Sequence, residues 1–139
     1  MELKIPSIKI IMKIHHIAIT VKNLQESVEF YTKNFGFAVA HEFERPDLLG
    51  KAAFIKLGDT HIELWEFEDA YDGQNDLHDL KLRGIRHIAF QVDDIDVEYQ
   101  RFVDNGISVE KPSVGGSGSK YCFLQDPNGV QLELYEVKW

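Results

Sequence analysis

Two histidines and two glutamates recur at matched places in this 139-residue chain. His16 heads the apolar run "HIAITV" and His87 heads "HIAFQV"; Glu63 lies in "THIELWEF" and Glu133 in "VQLELYEV". Imidazole nitrogen and carboxylate oxygen without thiolate form a donor set that suits Zn²⁺, Ni²⁺, Co²⁺, Mn²⁺ or Fe²⁺. Four such ligands on an octahedral ion leave two positions open for a small molecule. Taken singly, each residue reads as an ordinary side chain, a satisfied core histidine or a solvated or ion-paired acid. Taken together they are not independent. Gathering carboxylates and imidazoles out of water is costly unless they pair or hold a metal.

The matched places come from an internal repeat. With His16 set on His87, Ile17 meets Ile88, Ala18 meets Ala89, Val21 meets Val92 and Leu24 meets Ile95. One residue is lost before the glycine, so Gly36 meets Gly106, Glu63 meets Glu133 and Trp65 meets Tyr135. The halves cover residues 14–67 and 85–137, joined by a polar linker at 68–84, with residues 1–13 as an N-terminal extension to a single domain. Ile5, Ile8, Ile10 and Ile11 of that extension have the composition to add a strand.

Each half is expected to run strand, helix and three strands. Alternation marks the first strands: Ile17, Ile19 and Val21, then Ile88, Phe90 and Val92. Asn23 followed by Glu26 resembles a capping box, and Asp94 takes the equivalent position. Leu24, Val28, Tyr31 and Phe35 make one apolar stripe and Ile95, Tyr99, Phe102 and Val103 the other, ended by Gly36 and Gly106. The remaining strands are predicted near 37–44, 51–57 and 60–67, then near 107–111, 119–125 and 130–137. The class is α+β: two βαβββ modules whose mixed sheets form a partly open cup.

Period-two geometry places His16, Ala18 and Thr20 on the sheet face away from the helix, with His61, Glu63 and Trp65. His87, Ala89 and Gln91 share the corresponding face with Gln131, Glu133 and Tyr135. His15 should face away from the site, and Arg86 stands at its equivalent place. His61 falls on the site face as a pocket-lining or outer residue. Trp65, Phe67, Tyr121 and Phe123 are candidates to wall a cavity. The "GGSGS" stretch at 115–119 precedes a strand rather than a helix, so it is not a helix-terminus phosphate cradle; it reads as a flexible loop or lid over the site.

Bulk properties exclude several classes. A formal charge of −8 without a dense basic cluster argues against nucleic acid and anionic membrane surfaces. No apolar run approaches the roughly 20 residues of a membrane span. Cys122 stands alone, so no intrachain disulfide forms, and it has no obvious activating partner. The N-terminus lacks a signal-peptide plan, and the expected compartment is the cytoplasm.

"HHIAITV", "GIRHIAFQVDDID" and "FLQDPNGVQLELYE" resemble the vicinal oxygen chelate superfamily, the glyoxalase I, bleomycin resistance and dioxygenase group. The resemblance runs from residue 14 to 137 and is sharpest in the first and last strand of each half. It implies paired βαβββ modules around one divalent metal per site, Ni²⁺, Zn²⁺ or Co²⁺ first, with Mn²⁺ or Fe²⁺ also suitable. It implies His16, Glu63, His87 and Glu133 as ligands, and Glu133 as the catalytic base. It implies a homodimer, since glyoxalase I sites form at a dimer interface, and a small-molecule substrate. The activity implied is that of a lyase or isomerase on a small α-oxygenated carbonyl or thiohemiacetal. There the metal acts as a Lewis acid, stabilising an enediolate, while a carboxylate moves a proton between adjacent carbons.

Thr20 and Phe67 occupy positions where glyoxalase I uses a basic residue and an amide to hold glutathione, and neither can bind a carboxylate as Arg does. The chemistry is retained and the glutathione is not expected. Two other classes compete. An extradiol-type dioxygenase would hold Fe²⁺ through His16, His87 and Glu133, but the fourth acid, Glu63, argues against it. A non-catalytic small-molecule or drug-binding cup would have no need of four ligands.

Overall fold

The structure, a computed structural model, describes residues 2–4, 11–73 and 79–139. Among the described residues, eight strands and two α-helices follow the repeat, with a short 3-10 helix at Pro46–Leu48 between the second and third strands. The first module holds β1 (His16–Thr20), α1 (Leu24–Phe35), β2 (Ala38–Arg45), β3 (Gly50–Leu57) and β4 (Thr60–Phe67). The second holds β5 (Ile88–Gln91), α2 (Ile95–Asp104), β6 (Ser113–Val114), β7 (Lys120–Gln125) and β8 (Gln131–Glu136). The sheets run β1-β4-β3-β2 and β5-β8-β7-β6. In each, the first strand pairs in parallel with the last, and the other neighbours are antiparallel. The fold is α+β, as the sequence predicts.

Local chemistry starts and stops the helices. The Asn23 side chain accepts from the Glu26 N–H at 2.8 Å, and Gly36 closes α1 in the left-handed conformation at φ 80°. At that φ a Cβ would be strained, so glycine is the residue that fits. Asp94 caps α2 by accepting from the Asp96 and Val97 N–H groups. The inward faces carry the core: Ile19, Ile55, Ile62, Leu64, Ile95, Phe102, Leu132 and Leu134 are buried. Val103 is exposed at the tail of the α2 stripe. The α1 N-terminus is tied to the first sheet, because the Leu24 N–H donates to Glu66 Oε1 at 3.0 Å.

The modules meet through their helix sides. Phe35 of α1 lies 4.5 Å, centroid to centroid, from Phe90 of β5 and 5.3 Å from Phe102 of α2. A polar latch adds to this contact. The buried Tyr31 hydroxyl donates to Asp126 Oδ2 at 2.8 Å. Asp126 Oδ1 accepts the Asn128 and Val130 N–H groups, and Asn128 donates through Nδ2 to Ser27 Oγ. The turn before the last strand of one module is thereby seated on the helix of the other.

Three expectations change. The segment near 107–111 is not a strand: Val109 makes one isolated bridge to Leu124, and regular pairing with β7 begins at Ser113. Three charged or polar residues, Ser108, Glu110 and Lys111, dilute its apolar character. Residues 115–118 form a tight turn rather than a loose lid, since Gly118 N–H donates to Gly115 O and Gly115 N–H to Ser119 O, each at 3.0 Å. Residues 11–15 carry no strand, with Ile11 88% exposed; Ile5, Ile8 and Ile10 lie outside the described residues.

Candidate metal centre

The parallel pairing of first and last strands assembles each half of the site. The register puts Ala18 opposite Glu63 and His16 opposite His61, so His16 and Glu63 sit one pleat apart on the open face. His16 Nε2 lies 3.9 Å from Glu63 Oε1. In the second module Ala89 pairs with Glu133, and His87, just before β5, brings Nε2 to 3.7 Å from Glu133 Oε2. Adjacent ligands on one ion with bonds of about 2.1 Å stand roughly 3.0–3.4 Å apart. Each pair therefore fits around a single ion after a small closure. Alanine beside each glutamate keeps that space open.

The two pairs stay separate within one chain. Among the described residues, no three His, Cys, Asp or Glu side chains cluster closely enough to hold an ion. His87 borders a cleft of about 690 Å³ between β1 and β5, lined also by Ala18, Thr20 and Gln131. A larger apolar cleft of about 780 Å³ lies against α1 and α2 and contains none of the four residues.

The pairs also differ electrostatically. The Trp65 indole N–H donates to Glu63 Oε1 at 2.7 Å, fixing that carboxylate in orientation. Tyr135, at the equivalent position, instead bonds through its hydroxyl to Ser117 Oγ. Hydrogen bonds from Ser117, then Ser119 and Trp139, hold the Tyr135 phenol below its ordinary range. Glu133 is 8% exposed, and burial raises its carboxyl above the usual carboxylate range, with His87 opposing the shift. A desolvated carboxylate not tied to an indole is the better proton acceptor of the two.

The neighbouring residues fall out unevenly against the sequence reading. His61 lies on the site face as expected. His15 does not point away: it precedes β1, free of the strand alternation, and its ring stacks on His61 at 4.4 Å. Its Nδ1 lies 2.9 Å from His16 Nδ1. Partial desolvation, then the neighbouring His61, His16 and Lys13, lowers its pKa. Trp65, Phe67, Tyr121 and Phe123 remain half-buried on the open faces, joined by Phe43 and Phe54, which sequence reasoning missed. Their signal is parity: both occupy the site-facing phase of β2 and β3. Cys122 is buried, and burial followed by nearby acids pushes its thiol up to about 11.

Two βαβββ modules with a His–Glu pair on each open sheet face define a duplicated α+β fold. The chain belongs to the Glyoxalase/Bleomycin resistance protein/Dioxygenase superfamily, whose family model matches residues 13–134. It is 33% identical to the mitochondrial methylmalonyl-CoA epimerase of Dictyostelium discoideum over 89% of this chain and 78% of that one. It is 30% identical to lactoylglutathione lyase of Escherichia coli O157:H7, covering 91% of this chain and 94% of that one. A solved glyoxalase family protein from Enterococcus faecalis superposes with a TM-score of 0.79 at 32% identity, covering 89% and 97%. No helix among the described residues is long and apolar enough to cross a membrane.

Proposed function

We propose that this protein is a divalent-metal-dependent lyase or isomerase that moves a proton on the carbon beside a carbonyl. His16, Glu63, His87 and Glu133 would hold the metal. The bound metal supplies Lewis-acid stabilisation of negative charge developing on vicinal oxygens. Glu133 accepts the proton from the substrate carbon and returns it to the adjacent one, while Glu63 stays fixed by Trp65. The observation that carries this reading is the asymmetry of the two pairs: one carboxylate pinned by an indole, the other desolvated and paired with histidine alone among the described contacts.

The named relatives support the shared first half of this chemistry, removal of a proton beside a carbonyl; an epimerase then returns it to the same carbon. Lactoylglutathione and methylmalonyl-CoA are both thioesters carrying a labile proton next to the carbonyl. Because the two pairs do not meet within one chain, we propose that a homodimer completes the site. One chain would contribute His16 and Glu63, and a second copy of the chain His87 and Glu133. Edge strands β1 and β5, each hydrogen-bonded on one side within its sheet, are the natural seam.

The test combines elemental analysis of the purified protein with solvent-deuterium exchange and turnover of methylglyoxal plus a panel of thiols. Stoichiometric metal and exchange lost in Glu133→Gln, with the far-ultraviolet spectrum unchanged, are expected. An active Glu133→Gln variant would remove Glu133 as the base. A protein that neither holds nor takes up metal would make the binding-cup reading the better one, and robust catechol cleavage after anaerobic Fe²⁺ loading the dioxygenase one.

A further inference from the structure

The open face of the first sheet is built in rows set by register. One row runs Ala18, Glu63, Phe54 and His41; the next runs Thr20, Trp65, Ala52 and Phe43; the third pairs Phe67 with Gly50 and Gly50 with Arg45. Two small residues make room for large rings. A Cβ at Gly50 would come within 2.6 Å of the Phe67 ring, so that ring lies directly on the strand backbone. Ala52 is 1% exposed between Trp65 and Phe43, which are themselves half-buried.

The rings form a corner. Trp65 and Phe67 are parallel within 6° at 5.2 Å. Phe43 meets Trp65 edge-on at 90° and 5.1 Å, and lies within 28° of the plane of Phe54. The opposite sheet face is close to fully buried, yet these four rings keep accessible surface. A flat ring laid parallel to Trp65 and Phe67 would present its edge to Phe43, satisfying both favoured aromatic geometries at once. Charge at this end is sparse: Thr20 and Phe67 are neutral, the Arg45 guanidinium is engaged by Asp47 at 2.6 and 2.8 Å, and Lys22 borders Phe67 at the rim. Lys56 belongs to the far row, with His16 and His61.

Resting on the proposed function, we infer that the substrate carries a flat aromatic or conjugated group beside its vicinal oxygens. That group stacks in the corner of Phe43, Phe54, Trp65 and Phe67. The Trp65 N–H bond to Glu63 sets the corner at a fixed offset from the donor pair. An aliphatic substituent of equal size would lose the edge-to-face contact.

The test uses two chelators with the same metal-binding head, acetohydroxamate and benzohydroxamate, on the full-length cobalt-loaded protein. The cobalt visible spectrum reports chelation, and Trp65 emission in a Trp139→Phe background reports stacking. Benzohydroxamate should bind about tenfold tighter than acetohydroxamate, beyond their ratio for free Co²⁺, and should alone alter the Trp65 emission. Phe67→Leu and Phe43→Leu should each cut that preference to about threefold or less while acetohydroxamate affinity holds. Equal affinities in the parent protein, or a preference that survives both variants, would overturn the inference and leave the metal site standing. A cobalt spectrum indifferent to both chelators would instead overturn the proposed function, and this inference with it.

Discussion

Replacing Trp65 by phenylalanine keeps an aromatic ring in place and removes one donor, the indole N–H that holds Glu63 Oε1 at 2.7 Å. The Glu63 side chain is 14% exposed, so water can replace that donor in part. His16 sits 3.9 Å from the same oxygen, too far to orient it by hydrogen bonding. The carboxylate is therefore freed to rotate in the metal-free state, and binding must immobilise it. Immobilising one such side chain costs about 0.5–1.5 kcal/mol. Loss of an outer partner of a metal ligand typically weakens affinity by about 10–100-fold. The two ranges meet near tenfold, or about 1.4 kcal/mol. The assay is competitive zinc titration against a chromophoric chelator, with Tyr135→Phe as control. Tyr135 gives its hydroxyl to Ser117 rather than to Glu133, so its loss should leave zinc affinity within about twofold. The reasoning is refuted if Trp65→Phe binds zinc as tightly as the parent, or if both variants weaken binding equally.

Three further outcomes are expected. Mixing and refolding inactive His16→Ala with inactive His87→Ala should restore turnover, because a mixed dimer rebuilds one intact site from the undamaged module of each chain; no recovery would place the site within one chain. Metal-free stability in urea should fall as pH rises from about 4.5. The raised Glu133 pKa contributes stability that is present below the unfolded value and lost as pH climbs through the folded one. Glu133→Gln should flatten that slope, and bound zinc should reverse it because the ligands must shed protons to bind; a slope unchanged by the substitution would exclude Glu133 as its source. Tyr31→Phe should cost about 1–3 kcal/mol in urea unfolding by stripping a buried donor from Asp126, and a cost near zero would show that the latch contributes little.

Much of the scaffold was legible because it rests on local chemistry. Alternation set β1 and β5, side-chain caps at Asn23 and Asp94 started the helices, and Gly36 ended α1. The pairing of His with Glu followed from the repeat and from pleat parity, both readable without coordinates. What escaped notice depends on contacts remote in sequence or on chain outside regular elements. His15 lies just before β1, where alternation has no authority, and its backbone carbonyl accepts from His61 N–H at 2.9 Å, drawing it onto the open face. The 107–111 segment keeps apolar Ile107 and Val109, yet the ladder with β7 closes further along at Ser113. Phe43 and Phe54 needed the register between β2 and β3 before they could be placed beside Trp65. Separation of the two His–Glu pairs depends on how the modules sit against each other, which no periodicity encodes.

The seat of the Asp126–Asn128 turn on α1 binds the two repeats into one cooperative unit. Among the described residues the side-chain hydroxyls of Ser27 and Tyr31 find their side-chain hydrogen-bond partners in the second repeat, so a severed half would leave a buried tyrosine hydroxyl unpaired. Unfolding should follow one transition rather than two. Occupancy of either donor pair then raises the stability of both halves, and damage to one repeat is felt at the donor pair of the other.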